Sequence, residues 1–260
     1  MKKLHDVLFE EYKRIFVDEE PHTLLTGDAE ADKSAFFEKG KLSAFFTFNA
    51  SLCWDVYRKL LEFTKGISEK SEKKVVIFAT CSLSEYMRGT LAADLHEPIE
   101  EEPTEEQRER LVEAMKGYKG RNLYIENSCF TTEEIIRFLD GRDDIEAAYI
   151  ARYEDFCIAP PENHMARAKE DFLNFNRLAN CAERNNISIF LQTDYDDLYT
   201  YNTCVYANFE VSGKLAQNRL VNVVTCDFVE DEYQKLKFTR IENIPNYPEY
   251  IFRVHDEFKY

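Results

Sequence analysis

Short apolar runs of strand length alternate along the chain with longer segments of helical spacing. The run Val75-Val76-Ile77-Phe78-Ala79-Thr80 is rich in β-branched residues and bounded by charge, which is typical of a buried parallel strand. Runs of this kind lie near residues 43–48, 75–80, 122–126, 145–150 and 187–191, and apolar positions alternate in an antiparallel manner from residue 220 onward. The pattern predicts an α/β fold with a mostly parallel sheet, helices on both faces and an antiparallel C-terminal extension.

The stretch after the first strand predicts a helix over residues 55–65. Its apolar residues recur at helical spacing, as Val56, Leu60, Leu61 and Phe63. Glycine often follows the last residue of a helix, so we expect Gly66 to end this one.

Threonines mark the starts of two further helices. Thr104 and Thr131 are each followed by acidic residues within the next turn, as expected of N-caps. The helix after Thr104 would carry Leu111, Val112 and Met115 on one face. Helices are also predicted over residues 4–17 and 166–184, and Asn185-Asn186 would break the second of these.

Length and composition fit one large domain. The chain has 260 residues, of which 44% are hydrophobic, and this is enough to bury a sizeable core. We expect an N-terminal helix within residues 1–22 and a single α/β domain over 23–260. The helix would either close its own domain or dock on a neighbouring subunit. A homo-oligomer is therefore one of the two alternatives.

The cysteines and apolar runs indicate the compartment. Seven cysteines are scattered along the chain, and none forms a C-x-x-C pair, so neither a disulfide framework nor a metal site is expected. No apolar run reaches the length of a membrane span, and the N-terminus lacks the apolar stretch of a signal peptide. These features predict a cytoplasmic protein in a reducing environment, without contact to the membrane.

The charge of the chain argues against nucleic acid as its primary ligand. The formal net charge is −16 at pH 7. Binding to a phosphate backbone is driven by Lys and Arg that release counterions, and a strongly acidic chain opposes it.

Two motifs carry a resemblance to a known family. Thr26-Gly27 followed by Asp32 has the form T-G-x4-D, and Gly40-Lys41-Leu42 then leads into the first apolar strand. Together with the strand Leu123-Tyr124-Ile125-Glu126 and the helix start after Thr131, this order resembles the motor domain of DnaB-type replicative helicases and the related KaiC and RadA ATPases. The resemblance covers roughly residues 23–255 and implies a RecA-like P-loop NTPase fold. Residues 44–63 also fit an ordinary buried strand and amphipathic helix with no relation to these ATPases.

The resemblance also implies that the nucleotide chemistry is lost. In the family the first strand runs into a phosphate-binding loop ending Gly-Lys-Thr, and these positions are Leu52, Cys53 and Trp54 here. A phosphate loop needs glycine for close backbone approach, lysine for charge and a hydroxyl for Mg²⁺. The three residues present supply none of these.

At other positions that carry the family's chemistry, the chain also lacks the expected residue. The resemblance places Cys81 at the catalytic glutamate, with Glu85 as the nearest carboxylate, and Ala151, followed by Arg152, at the metal-binding aspartate. Gln192 and Thr193 fall at the polar sensor. Arg240 would stand for the lysine that reaches the next subunit's nucleotide, and Glu242 would replace the arginine finger.

Three functions are compatible with this reading. The first is a catalytically inactive domain without a cofactor that binds a protein or peptide, as an assembly or regulatory partner in DNA replication or recombination. The second is an enzyme or ligand-binding protein with a non-standard site, for which Asp194, Asp196, Asp197 and His164 are candidates. The third is an acidic mimic of nucleic acid. The first predicts that bulky apolar groups, Trp54 among them, fill the space of the lost triphosphate and are buried there.

Overall fold

The protein is an α/β structure in which a single sheet separates two layers of helices. The structure is a computed structural model that describes residues 23–47, 53–95, 99, 103–158, 164–193, 215, 217–228 and 236–241. The helices of these residues are α1 (Ala29–Lys33), α2 (Cys53–Lys70), α3 (Leu83–Leu95), α4 (Glu105–Lys116), α5 (Thr132–Leu139) and α6 (His164–Asn185). The strands are β1 (Leu42–Thr47), β2 (Lys74–Phe78), β3 (Leu123–Glu126), β4 (Ile145–Ile150), β5 (Ser188–Thr193), β6 (Val221–Phe228) and β7 (Leu236–Ile241).

The sheet has the order β3-β2-β4-β5-β1-β6-β7. Every neighbouring pair is parallel except β6 and β7, which pair antiparallel. This confirms the predicted mostly parallel sheet with an antiparallel extension. Each of the five predicted strands lies within two residues of its observed bounds.

Each face of the sheet carries its own hydrophobic core. On the face covered by α2, Phe37 and Phe63 pack with Phe45, Tyr149 and Phe190 of the sheet. The opposite face is covered by α5 and α6, whose apolar residues pack on the other side chains of the same strands. Every residue of β1, β4 and β5 is buried, because these strands are covered on both sides.

The predicted N-caps of α4 and α5 are confirmed. The Thr104 hydroxyl accepts a hydrogen bond from the Gln107 N–H, and Thr131 forms a reciprocal capping box with Glu134. The backbone N–H of Phe130 donates to the Glu134 carboxylate, and this bond is the main reason that the pKa of Glu134 lies below its usual range. The break after α6 is confirmed as well, because Asn186 adopts a left-handed backbone with φ of 53°.

Helix α2 does not end at Gly66, which corrects the prediction. The helix continues to Lys70, and Gly66 lies inside it. The backbone of Thr26 crosses the helix here, and a Cβ on Gly66 would lie 1.6 Å from the Thr26 carbonyl oxygen. Glycine is therefore required for a close approach between two backbones, and its role as a helix terminator does not apply.

The apolar face expected on α4 does not enter the core of the described structure. Val112 and Met115 are exposed, and no residue of α4 is fully buried. The helix is held from its C-terminal side instead, where the Tyr118 hydroxyl donates to Asp94 of α3 at 2.6 Å.

The T-G-x4-D motif forms a strap along α2. The Asp32 carboxylate accepts bonds from the Thr26 N–H at 2.6 Å, the Thr26 hydroxyl at 2.7 Å and the Gly27 N–H at 3.2 Å. Asp28 caps α1 and pairs with Lys59 of α2 at 3.0 Å. Burial alone would raise the pKa of Asp28, but the bonds from Ala31 and Lys59 outweigh it and lower that pKa. The motif is thus accounted for by folding interactions.

Two findings concern the organisation of the chain. Within the described ranges, no helix is both long and apolar enough to cross a membrane. The predicted helix at residues 4–17 lies outside the described residues, so the division into an N-terminal helix at 1–22 and a domain at 23–260 stays a prediction.

Candidate functional site

The carboxyl ends of β1 and β5 form a switch point of the sheet. The chain leaves β1 into α2, which packs on the Phe45 side of the sheet. Helix α6, which leads into β5, packs on the opposite face. Neighbouring strands whose connecting helices lie on opposite faces mark a switch point, and α/β sheets bind ligands at the carboxyl ends of such strands.

Buried polar side chains line this switch point. Thr47 ends β1, and Gln192 and Thr193 end β5, with Phe45 beside Gln192 and Phe46 beside Thr193 in the parallel register. All three polar side chains are buried. Among the described residues, neither the Thr47 hydroxyl nor the Thr193 hydroxyl has a hydrogen-bond partner.

The neighbouring carboxyl ends of β2 and β4 are joined by a small polar network. The Ala151 N–H donates to the Phe78 carbonyl at 3.0 Å, which extends the pairing of the two strands. The Thr80 hydroxyl donates to the Asp155 carboxylate at 3.0 Å, and the Arg152 guanidinium lies 3.4 Å from the same carboxylate. Asp155 is thereby held by residues that follow both strands.

Two solved structures are similar to the chain in fold. The ATPase domain of G40P matches with a TM-score of 0.58 at 10% sequence identity, covering 93% of this chain and 91% of that chain. The chain has a RecA-like fold. The structure of a DnaB-like replicative helicase, described with its interactions with primase, matches with a TM-score of 0.57 at 10% identity, covering 95% of this chain and 66% of that chain.

The likeness is one of fold. Neither a protein-family model nor a curated protein matches the sequence. The predicted resemblance to the DnaB-type ATPase domain is confirmed at this level, and the function of the RecA-like fold in this chain rests on the residues at its carboxyl edge.

Two of the three residues that the resemblance places at the phosphate loop begin helix α2. Leu52 lies outside the described residues, Cys53 is the first residue of α2, and Trp54 follows in its first turn. The Trp54 side chain is 50% exposed and stacks on Tyr57, with ring centroids 5.4 Å apart and an angle of 23° between the planes. The prediction that Trp54 is buried in a filled pocket is therefore wrong. The first helical turn directs the indole outward, and Tyr57 one turn later supports it.

The residues at the positions expected to activate water and to bind the metal are uncharged. Cys81 is half-buried three residues after β2, and Ala151 is buried directly after β4. Gln192 and Thr193, the sensor positions, are buried at the end of β5. Among the described residues, no group of three or more His, Cys, Asp or Glu side chains is placed to hold a metal ion.

Arg240, which the resemblance places at the lysine that reaches the next subunit's nucleotide, pairs within its own chain. The Arg240 guanidinium donates to the Glu38 carboxylate at 3.1 Å, and Lys41 pairs with the other oxygen of Glu38 at 2.6 Å. Asn222 also donates to Glu38, at 3.3 Å. The Glu38 side chain is only 3% exposed, so Arg240 compensates a buried charge within its own chain. Glu242 lies outside the described residues.

The acidic candidates stay predictions. Asp194, Asp196 and Asp197 lie outside the described residues. The backbone of His164 begins α6 and that of Glu85 lies in α3, but their side chains are not described.

Sequence reasoning missed two site features. It did not single out Thr47, although a hydroxyl at the last position of an apolar strand was a signal. It also missed Asp155, which no spacing rule connects with Thr80, because the two residues meet only through the pairing of β2 with β4.

The exposure of Trp54 predicts a small effect when the ring is removed. We expect Trp54→Ala to lower the free energy of unfolding by about 1 kcal/mol or less, since only the stacking on Tyr57 is lost. Wild-type tryptophan emission should be red-shifted and quenched by iodide. Chemical denaturation followed by circular dichroism measures the first quantity. A loss of about 3 kcal/mol or more would restore the buried-ring prediction.

Proposed function

We propose that this chain is a RecA-like domain that has lost ATP hydrolysis and acts by binding other proteins. The observation that carries the proposal is the set of side chains at the carboxyl edge of the sheet. Where phosphoryl transfer needs fixed charges, this edge has the buried Ala151, the half-buried Cys81 and the exposed Trp54.

Phosphoryl transfer depends on cations and acids placed around the phosphates. A buried alanine after β4 offers no carboxylate to Mg²⁺, and the Arg152 guanidinium that follows it pairs with Asp155. Arg240 is engaged with Glu38. Among the described residues, these positions do not supply the charges that the transfer of a phosphoryl group requires, while the carboxyl edge presents an aromatic side chain of the kind that is enriched in protein interfaces.

The neighbours in fold support a proposal for the biological setting. One of them is a DnaB-like replicative helicase described with its interactions with primase. We propose that this chain works in DNA replication or recombination, as an assembly or regulatory partner of such an ATPase.

The absence of nucleotide binding is the first test. We expect millimolar ATP or GTP with Mg²⁺ to leave the melting temperature unchanged, because a ligand stabilises a protein only in proportion to its binding to the native state. Hydrolysis should not exceed that of a blank. A RecA-like ATPase with an intact Gly-Lys-Thr loop is the positive control. A rise of several degrees with ATP would refute the loss of nucleotide chemistry.

The partner is tested by direct titration. The purified chain should form a complex with the replicative helicase or the primase of its source organism, detected by light scattering after size exclusion. Binding to neither protein would refute the replication assignment and leave the nucleotide result intact.

A second candidate function is the binding of a small uncharged ligand at the switch point. It is favoured by the buried Thr47 and Thr193 hydroxyls, which have no hydrogen-bond partner among the described residues. Buried hydroxyls of this kind are normally satisfied. Stabilisation by an uncharged nucleoside such as adenosine, without stabilisation by ATP, would favour this candidate.

A further inference from the structure

Trp54 differs from the other exposed apolar residues because its ring is held in place. Tyr57 is half-buried and packs against the core on the α2 face, and Trp54 stacks on it. Trp54 is half exposed, so the indole keeps an accessible part, the open face, beside the part that stacks on Tyr57. A ring fixed before binding loses little side-chain entropy when a partner docks on it.

The two cations of the same helix nearest to Trp54 in the sequence are engaged in ion pairs. Arg58 pairs with Asp55, and Lys59 pairs with Asp28 and Glu62, each at 3.0 Å. In the described part of the chain, four cations lie over aromatic rings, and the rings are those of Phe63, Tyr118, Tyr124 and Phe138. Indole is the best aromatic acceptor for a cation, so an outside cation is the group that fits this face.

Charge favours the same occupant. The chain carries a formal net charge of −16, which attracts basic segments over long distances. Locally, Asp55 in the first turn of α2 offsets the positive end of the helix dipole. An acidic partner would be repelled by the net charge of the chain.

We propose that Trp54 is the docking point for a basic segment of a protein partner, with an arginine or lysine side chain stacked on the open face of the indole. The proposal rests on the protein-binding function proposed above, and it supplies the chemistry of the partner at the carboxyl edge.

Trp54 is the only tryptophan of the chain, so its emission reports directly on this surface. We expect octa-arginine to change the emission in a saturable manner that weakens as salt is added. Octa-glutamate and a proline-rich peptide without charge should leave it unchanged. Equal quenching by the proline-rich peptide would overturn the proposal, because the surface would then recognise an apolar extended chain.

Variants separate the docking point from general attraction to an acidic surface. With labelled octa-arginine followed by fluorescence anisotropy, Trp54→Ala should weaken binding about fivefold or more, and Trp54→Phe should retain part of it. Phe130→Ala is the matched control, since Phe130 is also exposed, and it should bind as the wild type does.

Two results distinguish failure of the docking point from failure of the proposed function. Equal affinity of the wild type and Trp54→Ala would overturn the docking point alone. Stabilisation by ATP would overturn the proposed function, whatever octa-arginine does.

Discussion

Replacing Gly66 with alanine will lower the free energy of unfolding by about 3 kcal/mol or more. The new Cβ would lie 1.6 Å from the Thr26 carbonyl oxygen and 2.6 Å from its carbon. Both contacts are with backbone, so no side-chain rotation relieves them, and the strap must move away from α2. Urea denaturation followed by circular dichroism measures the effect.

Gly89→Ala is the matched control for this variant. Gly89 also lies inside a helix, α3, but a Cβ there would meet nothing within 4 Å. Alanine favours a helix over glycine, so we expect Gly89→Ala to stabilise the protein by roughly 0.5–1 kcal/mol. Similar behaviour of the two variants would contradict the close approach of Thr26 to Gly66.

Removing the charge of Glu38 should be the second large effect. Glu38→Gln keeps the shape of the side chain but leaves Arg240 and Lys41 without their counter-ion in a largely buried site. Breaking a buried ion pair by changing one partner costs roughly 3–5 kcal/mol. Since Arg240 and Lys41 are partly exposed, we expect a loss near the lower end, about 3 kcal/mol.

An exposed ion pair provides the control for Glu38. Glu113 and Lys116 pair on the surface of α4, with both side chains more than half exposed. Glu113→Gln should change the free energy of unfolding by less than about 0.5 kcal/mol. If Glu38→Gln were equally mild, Arg240 would be available for another role, including contact with a neighbouring subunit.

The regular part of the fold could be predicted from sequence because local patterns determine it. The apolar run at residues 75–80 and the capping residues around Thr131 act over a few positions, and both predictions were confirmed. Gly66 was misread because its role depends on a backbone forty residues earlier in the chain. A glycine that would end a helix in another context allows the strap to cross α2 in this one.

The candidate site was predicted less well than the sheet. The position of Trp54 at the start of α2 was correct, but its exposure depends on the direction of one helical turn and on support from Tyr57. Arg240 was assigned by resemblance, whereas its partner Glu38 lies two hundred residues away and is brought to it by the pairing of β6 with β7 and β1. No pattern within a single segment contains these contacts.

The strap has a consequence for how such domains are recognised. Thr26 crosses α2 at Gly66, which lies thirteen residues, or about 20 Å of helix, from the first turn at the carboxyl edge. The bonds of Asp32 to Thr26 and Gly27 therefore hold the strap at a distance from the place where a phosphate would bind. Selection for a folded chain alone would be enough to retain T-G-x4-D, whether or not the domain hydrolyses a nucleotide. A genome search based on the motif will then collect folds of this kind irrespective of their activity.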